Sequence, residues 1–258
     1  MAKVTKKKPV KAARPAKPTK STKVAKPARP PKSTKVTRPA GLIAPPPPPP
    51  PVRDELAAPR DIGRLIRYGE RFGANRIDVR MWNAPNTTVP AQLPIASGAI
   101  AMFDPADKKS WKVFDRPAGA GQFRIMLSVL KAANNDPAKD KIAAIVLHTG
   151  RPPIARWTVA HWKGQNKPKS ADELPRIAST GWIALMDANG GSPGVLAVPA
   201  TATQPIEVPL TDGRRALAIP AGKGEYAAYW AIDAQDKPIC LVIDFDSISQ
   251  KDWRTKPT

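Results

Sequence analysis

Seven consecutive prolines, Pro45 to Pro51, close an N-terminal segment that has no means of building a core. The first forty residues hold fourteen Lys or Arg, no Asp or Glu and no aromatic residue, and seven more prolines fall between Pro9 and Pro39. Prolines at that density forbid a helix, and like charges with little apolar surface cannot offset the entropy of ordering the chain. The segment is therefore expected to be disordered and extended, and whatever folds must be built from the rest. This divides the chain into a basic arm at 1–44, a polyproline spacer at 45–52 and one globular domain at 53–258. The prolines themselves form an extended helix rising about 3.1 Å per residue, which holds the arm off the domain. A ligand for a proline-reading module is the other use of such a run.

Charge separates the same regions. The chain carries a net charge of +21, of which the arm supplies fourteen; the remaining twenty-eight basic residues face twenty-one acidic ones. A polycation of this kind is suited to a polyanion, because each Lys or Arg near a phosphate releases condensed counterions without reading a base. The candidate nucleic-acid contacts are Lys3, Lys6, Lys7, Lys8, Lys11, Arg14, Lys17, Lys20, Lys23, Lys26, Arg29, Lys32, Lys35 and Arg38. Without aromatic residues the arm has no platform for base stacking. A short repeat runs through it, Lys20 to Ala28 returning as Lys32 to Ala40 with two changes. Its composition is similar to the Lys/Ala/Pro tails of linker-histone-like bacterial proteins and some ribosomal proteins. A solubilising tail, an anchor to acidic surfaces and a contact with anionic membrane are the competing readings, the last without a lipidation motif or apolar anchor.

One cysteine, Cys240, excludes an intramolecular disulfide and makes a cytoplasmic setting the default, with nucleoid association if the polyanion is DNA. The N-terminus has charge but lacks the apolar stretch of a secretory signal, and no run is long enough to span a bilayer.

Beyond the spacer, Asp61 precedes Ile62, Leu65 and Ile66 at helical spacing, which predicts one short helix with Asp61 as its cap. From about residue 95 the pattern alternates: Ile100 and Met102; Phe123, Ile125, Leu127 and Val129; Ala155, Trp157 and Val159. These are strands, and Ile142–Leu147 reads as a more deeply buried one. Further strands are expected at 181–186, 216–219, 226–232 and 239–245, the last two forming a hairpin around the polar turn Asp233–Pro238. The fold class is mainly β, a sandwich or curled antiparallel sheet, with one short N-terminal helix.

The order of motifs resembles a known family. Ala96-Ser-Gly-Ala-Ile-Ala-Met-Phe-Asp-Pro105, Gly121 to Val129, Ala155-Arg-Trp-Thr-Val-Ala160, Gly181-Trp-Ile-Ala-Leu-Met-Asp187 and the hairpin Tyr229–Ala234 with Ile239–Phe245 look like the domain-of-unknown-function-4241 family, over about residues 90–248. The chain departs from that pattern at Ala231, where the family has Gly, at Ala178-Ser-Thr-Gly181, and at Ala221-Gly-Lys-Gly-Glu225, which lacks a Trp-Gly-Asp. The resemblance implies a fold of strands and brings no catalytic residue with it.

Candidates for chemistry are few. His148 and His161 are the only histidines, and with one cysteine they make a zinc site only if carboxylates join them. Asp244 and Asp246 flank Phe245 at period two and so share a face if the strand continues, as a pair binding a divalent cation would. Asp187 and Asp233 are the residues that could join them; capping of turns is the plainer role for all four. Ser97-Gly98 and Ser179-Thr-Gly181 lack a nucleophile motif and read as turns. Asn189–Gly194 is Gly-rich without the Lys-Ser/Thr of a phosphate loop and reads as surface. Trp157, Trp182 and Trp230 lie in strands and are assigned to the core rather than to a ligand platform. No metal, cofactor or catalytic residue is assigned.

These readings point to a non-enzymatic binding protein whose arm contacts nucleic acid non-specifically and tethers a β-rich domain. A component of a bacterial conflict or secretion system that binds a protein partner is the first alternative. A metal-dependent hydrolase using Asp187, Asp233, Asp244 or Asp246 is the second.

Overall fold

The computed structural model describes residues 53–254 and 256, apart from 85, 151 and 200–202. The fourteen arm cations and the polyproline run lie outside the described residues. Asp61 starts the first element: its side chain accepts from the Gly63 amide at 3.1 Å and opens the 3₁₀ turn Ile62–Ile66. The expected helix and its cap are thus present, in the tighter 3₁₀ form. Ile62 and Leu65 on this turn are fully buried.

Twelve strands follow among the described residues: β1 (Arg71–Phe72), β2 (Asn75–Met81), β3 (Gln92–Ile95), β4 (Ile100–Phe103), β5 (Lys112–Val113), β6 (Gly121–Lys131), β7 (Lys141–His148), β8 (Arg156–Val159), β9 (Arg176–Asp187), β10 (Ile206–Pro209), β11 (Arg215–Ile232) and β12 (Pro238–Asp244). They make one sheet in the order β1-β2-β6-β7-β12-β11-β9-β4-β5, with β3 added to β6, and β8 and β10 added to β11. The pairings are antiparallel. A short helix, α1 (Gln250–Trp253), closes the chain, with Ser249 Oγ accepting from the Asp252 amide at 3.1 Å. No helix of the described residues is long and apolar enough to cross a membrane.

Alternation along the central strands feeds two cores. On β12, Leu241 and Ile243 enter one cluster while Cys240 and Val242 enter the other, and on β7 Ile145 and Leu147 oppose Ala144 and Val146. The larger cluster lies inside the curl of the sheet, because β3, bonded to β6, packs against β9 and β11 without pairing with them. The smaller is covered by the 3₁₀ turn, Phe72, Ile248 and the flank of Trp253. Strands covered on both faces read as continuous apolar runs, which is why Ile142–Leu147 stands out in the sequence.

Two local readings are corrected. The strands expected at 216–219 and 226–232 are one strand, β11, and 221–225 between them is not a loop. Its partner is Ala178–Gly181, itself expected to turn: Gly222 sits opposite Gly181, Lys223 opposite Thr180, Gly224 opposite Ser179 and Glu225 opposite Ala178. Pro220 has no N–H for the ladder, so the register shifts between Pro220 and Gly222, and Gly222 absorbs the bulge at φ +81°. The second correction concerns tryptophan. Trp230 is buried as expected and Trp157, partly covered, packs against the smaller core, but Trp182 is only partly covered, and the larger core also takes Trp82 and Trp162. Trp157 lies on β8, whose far side meets only the isolated bridge from Ala57, so less protein covers it. The hairpin of β11 and β12 forms as read, with Ala227 opposite Asp244 and Ile232 opposite Pro238.

Candidate functional site

Chemistry concentrates where β12 ends. Asp244 closes the strand with its carboxyl buried, and the chain then turns so that the Asp246 amide donates to Asp244 Oδ1 at 2.9 Å, with Asp246 at φ +48°. Both carboxylates face Arg60, which donates to Asp244 and, at 3.2 Å, to Asp246. The strand does not continue to 246 as the period-two reading requires; the two carboxylates meet on one guanidinium because the chain turns after Asp244, whose carboxyl caps that turn. Arg60 in turn lies over the Trp253 ring, 4.4 Å from its centroid. Burial works against the Asp244 carboxylate and pushes its titration up despite Arg60. Burial also opposes the Arg60 charge, but Asp244, Tyr229 and Asp246 together outweigh it and hold the guanidinium above its ordinary value. The Tyr229 hydroxyl is pushed up by burial and then by Asp244.

A second arginine reinforces this corner. Arg64 Nε donates to Glu70 at 2.8 Å, and its other nitrogens donate to the Trp253 and Arg71 carbonyls at 2.8 Å each. Its guanidinium stacks on Phe72 at 4.4 Å, and Phe72 meets Trp253 edge to face at 4.9 Å. Arg60 and Arg64 thus bind the N-terminal turn, the end of β12 and α1 into one layer. The only sequence signal for Arg64 is a cation inside the apolar turn Ile62–Ile66, and for Arg60 there is none, since its partners lie about 185 residues away. Arg60 and Arg64 also line a cleft of about 830 Å³, together with Asp61, Arg176, Tyr229 and Asp246. Apolar Leu174, Ile248 and Trp253 line it together with Arg254 and Lys256.

The other two aspartates lie elsewhere. Asp233 holds the far end of the hairpin, accepting from the Gln235 and Lys237 amides at 2.8 Å each. It is six residues along β11 from Ala227, the partner of Asp244, so the two are about 20 Å apart at the usual strand rise. Asp187 ends β9 opposite Ile100, at the other end of that strand from the Arg176 that lines the cleft. It accepts from the Ser97 hydroxyl, the Ala96 amide, and the Ser97 and Asn189 amides at 2.9 Å. Burial opposes its charge, but these bonds together outweigh burial and hold its carboxyl below the usual carboxylate range. Among the described residues no three His, Cys, Asp or Glu gather as metal ligands would. His161 is buried with Nε2 3.3 Å from Asp115, and His148 is partly covered at the end of β7.

The motif residues are joined in pairs that brace the sheet. Ser97-Gly98 meets Asp187, and Asp104 at the end of β4 accepts from the Thr180 amide at 2.5 Å. Ser97 forms a turn as expected, whereas Ser179 lies within β9, its hydroxyl donating across the bulge to the Gly222 carbonyl at 3.0 Å. The loop Asn189–Gly194 is exposed as expected, closed by Arg214 on the Asn189 and Gly191 carbonyls at 2.5 and 2.8 Å.

Among curated proteins and among solved structures nothing matches the chain. A family model does match, over residues 93–175, which run from β3 to the turn before β9 and so contain the first three motifs but neither the Met186-Asp187 strand nor the hairpin. That family is the one described as protein of unknown function (DUF4241), the same family that the order of motifs resembles.

Proposed function

We propose that this chain is a non-enzymatic binding protein whose basic arm contacts nucleic acid without sequence preference and tethers the β-rich domain to it. The observation that carries the reading is fourteen cations in forty residues with no carboxylate among them. Counterion release makes such an arm bind any phosphate backbone, and the absence of aromatic residues leaves it without a means of choosing bases. The polyproline run then acts as a stiff spacer, so that the domain stays accessible to its own ligand. The single cysteine favours a cytoplasmic location, with nucleoid association if the polyanion is DNA. The non-enzymatic part is supported by what the weighed aspartates do: Asp187 and Asp233 hold turns, and Asp244 and Asp246 hold Arg60.

The test is binding of the full chain and of a 53–258 truncation to duplex DNA and to RNA across salt. The full chain should bind both, with log affinity falling linearly in log salt. An arm making about six to ten phosphate contacts loses roughly 10³ to 10⁵ in affinity between 50 and 200 mM salt. Equal binding by the truncation would move the contact to the domain. No binding by either at about 0.15 M salt would overturn the proposal and bring forward the protein-partner reading.

A further inference from the structure

We propose that the cleft at the end of β12 binds a phosphate-bearing ligand. This goes beyond the arm and does not depend on it. Five cations line the cleft, and they divide into two sets. Arg60 and Arg64 have carboxylate partners in Asp244, Asp246 and Glu70. Arg176, Arg254 and Lys256 have no carboxylate partner among the described residues, and Arg176 donates only to the Glu225 carbonyl, at 3.1 Å. Of the carboxylates at the rim, Asp61 is held by the Gly63 amide and Asp246 by Arg60. Three cations without carboxylate partners therefore face one concavity, where a low-dielectric wall concentrates their field on whatever enters.

Their number selects the ligand. Asp61, which lines the same cleft and is bonded to an amide and not to a cation, offsets one of the three charges. A lone carboxylate then leaves one cation unmatched, whereas a phosphate monoester brings close to two charges and offers three acceptor oxygens to the planar forks of two arginines. Leu174, Ile248 and Tyr229 add apolar surface beside the polar Ser249 and Gln250, so the phosphate is carried on a body that this mixed wall covers. Arg60 beside it is already paired with Asp244 and stacked on Trp253, so the cations left to meet a ligand are the three without carboxylate partners.

The test uses the full chain with inorganic pyrophosphate, a nucleoside 5′-monophosphate and a short single-stranded oligonucleotide as probes. The readout is the indole N–H resonance of Trp253, assigned with Trp253→Phe. Pyrophosphate should shift it saturably, and the double variant Arg176→Ala/Arg254→Ala should weaken that titration by about tenfold or more, while Arg254→Lys keeps most of it. If the monophosphate saturates the shift at lower concentration than pyrophosphate, the source is a free phosphorylated ligand; if only the oligonucleotide does, it is a nucleic-acid backbone. A Trp253 resonance that no probe moves, or one that moves equally in the folded double variant, overturns the proposal. Should the double variant fail to fold, the wild-type resonance with the three probes decides alone.

Discussion

Asp187 accepts four hydrogen bonds from the segment Ala96–Ser97 and from Asn189, and those bonds set how the domain responds to acid. Its carboxyl titrates below the ordinary value of 3.8, so its contribution is present above the unfolded value and is lost as pH falls through the lower folded one. Ser97→Ala removes the side-chain donor and should move the acid-unfolding midpoint to higher pH, read by circular dichroism between about pH 2 and 6. Arg116 is a different kind of residue. It is buried and holds Glu55 in a two-pronged pair at 3.0 and 2.7 Å while donating to the Asp236 carbonyl at 2.8 Å. Glu55→Ala leaves that guanidinium without its main counter-charge and should cost about 3–5 kcal/mol in urea unfolding. Cys240, between Ile239 and Leu241 in β12, has its thiol pushed up to about 12 by burial. It should resist a thiol reagent at pH 8 until denaturant is added, since the thiolate is the reactive form. None of these pairings is visible in the sequence, because Ser97 and Asp187 are 90 residues apart and Glu55 and Arg116 are 61 apart.

Among the elements, β12 shows why the hairpin could be read and the long strand could not. Its two strands are joined by a short polar turn, so apolar pattern and turn chemistry agree locally. β11 contains Pro220 and two glycines, residues that the chain uses elsewhere to stop strands, and only its pairing with β9 carries it through. The two-faced burial of β12 is testable: Leu241 faces the larger core and Val242 the smaller. Leu241→Ala should cost about 2–5 kcal/mol and Val242→Ala about 1.5–3, whereas a sheet with one wet face would tolerate one of the two. Gly98 binds the β3–β4 turn in another way. It lies at φ +75°, and an added Cβ would stand 3.2 Å from the Gly119 carbonyl carbon. Gly98→Ala should lower stability by about 1–2 kcal/mol from the backbone conformation alone, measured by thermal melting.

At the scale of the whole molecule, the segment leading out of the spacer is part of the domain. The Leu56 carbonyl accepts from the Val159 amide at 2.8 Å, the Ala58 amide donates to Trp157 at 3.0 Å, and Arg60 clamps the end of β12. Deleting the chain through Arg60 should therefore expose the smaller core and lower the melting temperature by many degrees. The amino-acid sequence by itself determined the polycationic character of its first forty residues, the β class and the hairpin of β11 and β12. All of these rest on composition, periodicity or turn residues within a few positions of one another. Only the tertiary structure decided that one sheet curls on itself to bury both faces of its central strands, and that Asp244 and Asp246 both meet Arg60. It also decided that cations at 176, 254 and 256 share a cleft with Arg60. Those outcomes depend on contacts between residues tens to nearly two hundred positions apart, and no local pattern of residues encodes which distant partner each will meet.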